Sequence, residues 1–235
     1  MKARDRLIVA LDVPKAEDAL ALVERLSGRV GLFKVGSQAF TAAGPRLVRD
    51  IVGRGERVFL DLKFHDIPNT VAGAVTSAAG LGVSLLDVHA LGGRAMIEAA
   101  ARARSGSPSR LLAITILTSH DQAALAELGL SGSLPDAVRR LALLARDSGA
   151  DGVVCSPQEA SLVREACGAG FLVVTPGVRP AGATLGDQAR PATPAAAIAA
   201  GADYLVVGRP ISEAPDPASA ADAIVRELQA ARVER

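Results

Sequence analysis

Residues 58–70 read VFLDLKFHDIPNT, and the placement of this stretch decides the fold. It opens as an apolar run of strand-forming residues and then brings Asp61, Lys63 and Asp66 into a segment that should otherwise be buried. Side chains alternate faces along a strand, so Asp61 and Lys63, two apart, point the same way and set a carboxylate beside an ammonium. Asp66 stands apart from them. Pro68 disfavours helix at Ile67 and forces a turn before the next helix begins. Taken alone, the string reads equally as a strand-end ion pair with Asp66 and Asn69 capping the helix that follows.

Outward from this stretch, apolar strands alternate with helices in both directions. Residues 7–13 (LIVALDV) form a near-continuous apolar run ending with Asp12, the pattern of a parallel strand covered on both faces. Pro14 opens a helix to about residue 26, residues 31–36 (GLFKVG) give a second strand carrying Lys34, and a short helix is expected over 45–52. Beyond the central stretch come a helix over 70–81, a strand over 85–90 (LLDVHA), a helix to about 104, and a strand over 110–117 that ends in Thr118. A polar connection follows, and then a helix over 134–148 whose Val138, Leu141, Ala142 and Ala145 keep helical spacing.

A strand over 152–155 leads into Ser156, Pro157 and Glu159, a capping pattern with proline at the first helical position. A strand over 171–175, a long loop over 176–192, a helix opened by Thr193 and Pro194, a strand over 204–207 and a helix over 216–230 complete the chain. Eight strands, each followed by a helix and with no separating linker, predict an α/β protein, a single-domain (β/α)8 TIM barrel over residues 1–235. An open doubly wound sheet fits less well, because the first turn, DVPKAED, lacks the glycine-rich dinucleotide fingerprint.

Composition narrows the function. With 235 residues and 49% hydrophobic content the chain can bury one large core, and a net charge of +1 gives no electrostatic reason to expect nucleic acid or an anionic membrane as partner. No apolar stretch approaches membrane-spanning length, and residues 1–6 are charged and lead directly into a strand, leaving no signal peptide to read. Cys155 and Cys167 lack disulfide-framework or metal spacing and are expected as reduced thiols, so a cytoplasmic enzyme is the expectation. Lysine usage is more telling. Of 26 Lys+Arg, the lysines are only Lys2, Lys15, Lys34 and Lys63, so arginine serves wherever a generic cation suffices. Lys34 and Lys63 sit at apolar strand ends, where an ammonium can be tuned to give up a proton and a guanidinium cannot.

In a barrel of this kind the C-terminal strand ends converge on one mouth. There the sequence places Asp12, Lys34, Asp61 with Lys63, Thr118, Gly177 with Arg179, and Gly208 with Arg209. The last two pairs follow strands seven and eight, a common phosphate site in this fold, and combine a glycine for close backbone approach with an arginine for bidentate contact. A phosphorylated substrate is expected. The loop over 176–192, with Gly177, Gly182 and Gly186, has the length of a lid, and Gln188 within it is placed to reach a ligand. Asp87 and His89 share a strand face as half a metal site would, but no further ligand pattern accompanies them, so no metal is expected.

The segments VALDV, FKVG, FLDLKFHDIPNT, ILTS, TPGVRPAG, GDQAR and VVGRPI stand in an order and approximate spacing that resembles bacterial-type orotidine 5'-phosphate decarboxylases. The resemblance implies decarboxylation of orotidine 5'-phosphate to uridine 5'-phosphate without a cofactor. It implies an alternating charge array of Lys34, Asp61, Lys63 and Asp66, with Asp66 supplied by the neighbouring subunit of a homodimer that shares its sites. It also implies that Asp12 and Lys34 hold the ribose hydroxyls, that Asn69 and Thr70 lie along the shared loop, and that Thr118 faces the pyrimidine. Arg179, Gln188, Gly208 and Arg209 would hold the 5'-phosphate. A magnesium-dependent sugar-phosphate decarboxylase or aldolase of the same superfamily shares D-x-K-x-x-D, but the continuation IPNT and the GDQ loop favour the nucleotide enzyme. A non-catalytic phosphate-binding barrel would have little use for Lys63 and its flanking carboxylates.

Overall fold

The computed structural model of the protein describes residues 1–179 and 192–233. Eight parallel strands pair in chain order, and the first closes onto the last. They are β1 (Leu7–Ala10), β2 (Leu32–Gly36), β3 (Val58–Phe64), β4 (Leu85–His89), β5 (Arg110–Ile114), β6 (Gly152–Val154), β7 (Leu172–Thr175) and β8 (Tyr204–Val207). The helices on the outside are α1 (Ala16–Leu26), α2 (Ser37–Gly53), α3 (Pro68–Ala79), α4 (Gly93–Ala103), α5 (Gln122–Glu127), α6 (Leu134–Asp147), α7 (Ala160–Cys167), α8 (Pro194–Ala199), α9 (Arg209–Ser212) and α10 (Pro217–Val233). This is the expected (β/α)8 barrel. Among the described residues no helix is long and apolar enough to cross a membrane.

The strands read as unbroken apolar runs because each faces two cores. Along β1, Leu7 and Val9 pack outward into the layer shared with the helices, while Ile8 and Ala10 point into the barrel. The interior is filled by Ile8, Leu32, Phe59, Leu85, Leu112, Val174 and Tyr204 with their neighbours, so the barrel is packed below its mouth. Two helix starts follow the sequence pattern: the Ser133 and Thr193 side chains accept from the backbone N–H of Asp136 and Ala196.

Several boundaries differ from expectation, each for a local reason. The helix expected over 45–52 begins at Ser37. Gly44, at φ 65° and ψ −167°, kinks it, so the proline at 45 starts a second segment rather than a new helix. The polar connection after β5 holds α5, capped by the Asp121 side chain on Ala124 N–H. Ser156 caps Gln158 N–H, but what it opens is a turn of 3-10 helix at Pro157–Glu159 ahead of α7. β1 stops at Ala10, so Asp12 lies in the connection beyond it, and β5 stops at Ile114, four residues short of Thr118.

The largest departure is in β3. Leu60 pairs with Leu86 and Phe64 with Val88, so β3 spends four residues where β4 spends two. Within this bulge Lys63 takes φ 52°, the left-handed region, and it is the non-glycine residue that does so among the described residues. Regular strand alternation therefore fails between Asp61 and Lys63.

Phe59, 1% exposed, is a large part of the interior filling directly below the mouth. Phe59→Ala should cost roughly 3–5 kcal/mol through lost burial and a residual cavity. Chemical denaturation checks this, and a loss under about 1 kcal/mol would mean that the barrel repacks around the gap.

Candidate active site

Among the described residues a cavity of about 430 Å³ opens at the C-terminal ends of the strands. One wall carries Asp12, Lys34, Asp61 and Lys63, the floor includes Ala10 and Phe59, and Ile114, Ile116, Thr118 and Cys155 come from the side of β5 and β6. Gly177, Arg179, Gly208 and Arg209 line the part that follows β7 and β8. The barrel order puts β7 four strands from β3 and β8 three, so Arg179 follows the strand opposite that of Lys63 and Arg209 the strand next to it.

The charges on the first wall are tied to one another. Lys34 Nζ lies 3.0 Å from Asp12 Oδ1 and 3.3 Å from Asp61 Oδ2, and Lys63 Nζ donates to Asp61 Oδ1. Lys34 and Asp61 are each 8% exposed, whereas the Lys63 side chain is 38% exposed and reaches the cavity. Gly36 makes the cluster possible. A Cβ at that position would lie 2.8 Å from Lys34 Nζ, so any larger residue would displace the ammonium.

Electrostatics follow from this packing. Burial works against the Asp61 charge, but the Lys34 ammonium, a hydrogen bond from Asp87 and the Lys63 ammonium outweigh it and hold the carboxyl at about 2. Burial likewise works against the charge on Lys34, and its attraction to Asp61 and Asp12 reverses the sign, leaving the ammonium above its usual value. Asp87 behaves oppositely. Wholly buried and beside Asp61, it is pushed well above the usual carboxylate range, while its Oδ1 accepts the Lys63 backbone N–H at 2.8 Å. His89 is brought down to about 4 by burial and then by His65, Lys63 and His120, and its ring stacks on His65 with centroids 5.4 Å apart. Its Nδ1 accepts from Leu91 N–H, so the neutral ring is occupied as a hydrogen-bond acceptor. Among the described residues no group of three or more His, Cys, Asp or Glu side chains is placed to hold a metal ion.

The structure thus brings together Asp12, Lys34, Asp61, Lys63, Thr118, Arg179, Gly208 and Arg209. It leaves three expected residues out of the cavity of this chain. Asp66, Asn69 and Thr70 are exposed, and Asp66 Oδ1 accepts its neighbour's Ile67 N–H at 2.6 Å. Neither Asp66 nor Asn69 caps α3, whose first turn begins at Pro68 without a side-chain cap. Gln188 lies outside the described residues, as does most of the loop expected as a lid. Three contributors were missed from sequence: Asp87 beneath the array, Gly36 beside it and Gln38 on the rim. Asp87 carried a signal, since a carboxylate in the apolar run LLDVHA needs a partner.

Fold and site together define a (β/α)8 barrel of the enzyme type, with a lysine–carboxylate array at its mouth. The family model described as Orotidine 5'-phosphate decarboxylase / HUMPS matches residues 5–224, and the chain belongs to that family. Its sequence is 61% identical over 228 residues to an orotidine 5'-phosphate decarboxylase of Halorhodospira halophila, covering 96% of this chain and 97% of that protein. It is 57% identical over 230 residues to one of Alkalilimnicola ehrlichii, covering 97% and 98%. A crystal structure of orotidine 5'-phosphate decarboxylase from Lactobacillus acidophilus superposes with a TM-score of 0.84 at 39% identity, covering 94% of this chain and 98% of that one.

The low Asp61 value has a definite pH consequence. Its stabilisation is present above the unfolded value of 3.8 and is lost as pH falls toward about 2. Lys34→Met removes the largest compensating charge and should cost roughly 3–5 kcal/mol near neutral pH, because a buried carboxylate loses its partner. Denaturation followed over pH checks this. The penalty should shrink in acid, where Asp61 of the variant takes up a proton, and a pH-independent penalty would contradict the account.

Proposed function

We propose that this chain decarboxylates orotidine 5'-phosphate to uridine 5'-phosphate at the barrel mouth, with Lys63 supplying the proton. The observation that carries this reading is the Lys63 ammonium held by buried Asp61 on the wall of a cavity that two arginines, Arg179 and Arg209, also line. The family description joins two names, and the near relatives carry the first of them.

The chemistry needs that ammonium. Breaking the bond between C6 and the carboxylate releases CO2 and leaves the electron pair in an sp2 orbital on C6, with no ring carbonyl able to delocalise it directly. A unit charge about 4 Å away at an effective dielectric near 20 contributes roughly 4 kcal/mol, about a thousandfold in rate. Lys63 then transfers a proton to C6 and is reprotonated from solvent. Asp61, ionised at any physiological pH, orients the lysine. No metal or cofactor takes part in this scheme.

The arrangement of the walls supports the substrate's orientation. Arg179, Gly208 and Arg209 take the 5'-phosphate, and Gln188 joins them. Asp12 and Lys34, between β8 and β3 in the barrel order, take the ribose hydroxyls, and Thr118 faces the pyrimidine. Phosphate, ribose and reacting ring then follow the circumference of the mouth. In this reading the functional unit is a cytoplasmic homodimer of single-domain chains, and Asp66, Asn69 and Thr70 act on the partner's site. The support is their exposure together with Ile67, an apolar residue left 67% exposed on the same stretch.

Direct assay of orotidine 5'-phosphate turnover tests the reaction, and activity should persist in chelator. Loss in chelator with restoration by magnesium would instead indicate sugar-phosphate chemistry.

The shared site has its own test. Lys63→Ala and Asp66→Ala proteins should each be nearly inactive, while a heterodimer of the two keeps one site with both groups intact. Mixing under conditions that permit subunit exchange should therefore restore a substantial fraction of activity. Heterodimers that form and stay inactive would place Asp66 in its own chain's site.

Arg209→Ala should weaken turnover of the 5'-phosphorylated substrate far more than that of the phosphate-free nucleoside, because remote binding energy helps assemble the reacting geometry. Equal losses on both would remove Arg209 from phosphate binding.

A further inference from the structure

We propose that Asp87 is a neutral carboxylic acid that positions the charge array, accepting the Lys63 backbone N–H on one oxygen and donating its own proton to Asp61. The inference deepens the decarboxylase reading and rests on it for its kinetic consequences.

Three observations converge on this residue. Asp87 is 0% exposed, and its Oδ1 accepts from Lys63 N–H at 2.8 Å. Its Oδ2 meets no hydrogen-bond donor, although it is buried beside the Asp61 carboxylate, which can only accept while ionised. A proton on Asp87 resolves the orphaned oxygen and gives Asp61 a further donor. The third observation is the backbone of Lys63 itself. Its φ of 52° is costly for a side chain with a Cβ, and such a conformation persists where surrounding contacts over-determine it. The hydrogen bond to Asp87 is one such contact, and it holds the residue at the centre of the bulge.

The groups around Asp87 agree with a neutral acid. From β3 it faces Asp61 and Lys63, and on its own strand His89 follows two residues on, neutral at ordinary pH. β5 sets apolar Leu112 against it in register. Lys34, on the far side of Asp61, is already engaged with Asp61 and Asp12. A second carboxylate charge here would sit against Asp61 with only Lys63 to offset it. Asp61 keeps the charge because two ammonium groups reach it, and Asp87 keeps the proton.

Asp87→Asn and Asp87→Ala test this against wild type. The asparagine replaces the acid with an amide that can accept from Lys63 N–H and donate to Asp61, whereas alanine removes both. Asp87→Ala should lower kcat by roughly a hundredfold, with KM changed much less, since the displaced group is the reacting ammonium. Asp87→Asn should recover most of that loss.

Two readouts do not depend on turnover. Wild type should show the infrared carbonyl band of a buried protonated acid at neutral pH, absent from Asp87→Asn. Its stability should also fall relative to Asp87→Asn as pH rises above about 4, because the folded state keeps a proton that the unfolded state releases. An Asp87→Asn protein that folds but is as impaired as Asp87→Ala, or a wild type without the band and the pH slope, overturns the proposal. So does an Asp87→Ala protein that loses only stability and keeps its kcat. Failure of wild type to turn over orotidine 5'-phosphate would instead refute the reaction, and the band and the slope would still decide the state of Asp87.

Discussion

A carboxylate buried between two ammonium groups is the constraint on which the site depends. Asp61 is 8% exposed, with Lys34 Nζ at 3.3 Å and Lys63 Nζ on its other oxygen. At that distance and an effective dielectric near 20, attraction to one lysine is about 5 kcal/mol, while desolvation costs several kcal/mol for each ion. The two nearly cancel. Apolar residues of similar volume would hold the barrel together at least as well, so the array is poorly explained as a stability device. What it does provide is a lysine, Lys63, whose side chain is held in position on Asp61.

The barrel produces this cluster through register. Lys34 pairs with Phe59 and Gly36 with Asp61, so the Asp61 backbone stands two residues nearer the mouth than that of Lys34. The lysine's long stem spans the step, and Gly36, opposite Asp61, leaves the space that the ammonium occupies. Asp12 closes the group from the connection after β1, where the chain has left the ladder and the carboxylate is half exposed. Charge therefore thins from the buried Asp61 outward to solvent. On the wall after β7 and β8 the two cations differ in burial, with Arg179 8% exposed and Arg209 open to solvent.

Strand number, order and class were legible because a parallel strand covered on both faces leaves an uninterrupted apolar run, and here each run is bounded by glycine, proline or charge. The charges that break the runs at Lys34 and Asp61 were legible for the same reason, as polar groups in places that exclude water. Composition hid other parts. Gln122–Glu127 (QAALAE) is made of good helix formers behind an Asp121 cap but is short and set among polar and glycine residues that read as a connection. Gly44 followed by proline reads as a helix boundary although helix continues on both sides. Asp87 was visible and a metal site with His89 was set aside, but its role beneath Asp61 and Lys63 stayed hidden, because a sequence does not show which neighbouring strand a side chain meets. The bulge in β3 left no sequence signal at all, since VFLDLKF has a regular strand's propensities and only pairing with β4 exposes the extra residues.

That bulge explains how Asp61 and Lys63 meet despite the loss of strand alternation. Within the bulge the Lys63 amide donates to a β4 side chain, Asp87 Oδ1. The left-handed backbone costs roughly 1–2 kcal/mol for a residue with a Cβ. In return the lysine is held at both ends, its amide by Asp87 and its ammonium by Asp61. A free lysine side chain carries about 2 kcal/mol of rotamer entropy, so fixing it during folding removes a cost that any later ordering of the side chain would carry. Backbone strain and buried charge are thus two parts of one arrangement, and both hold the Lys63 ammonium at a fixed point on the cavity wall.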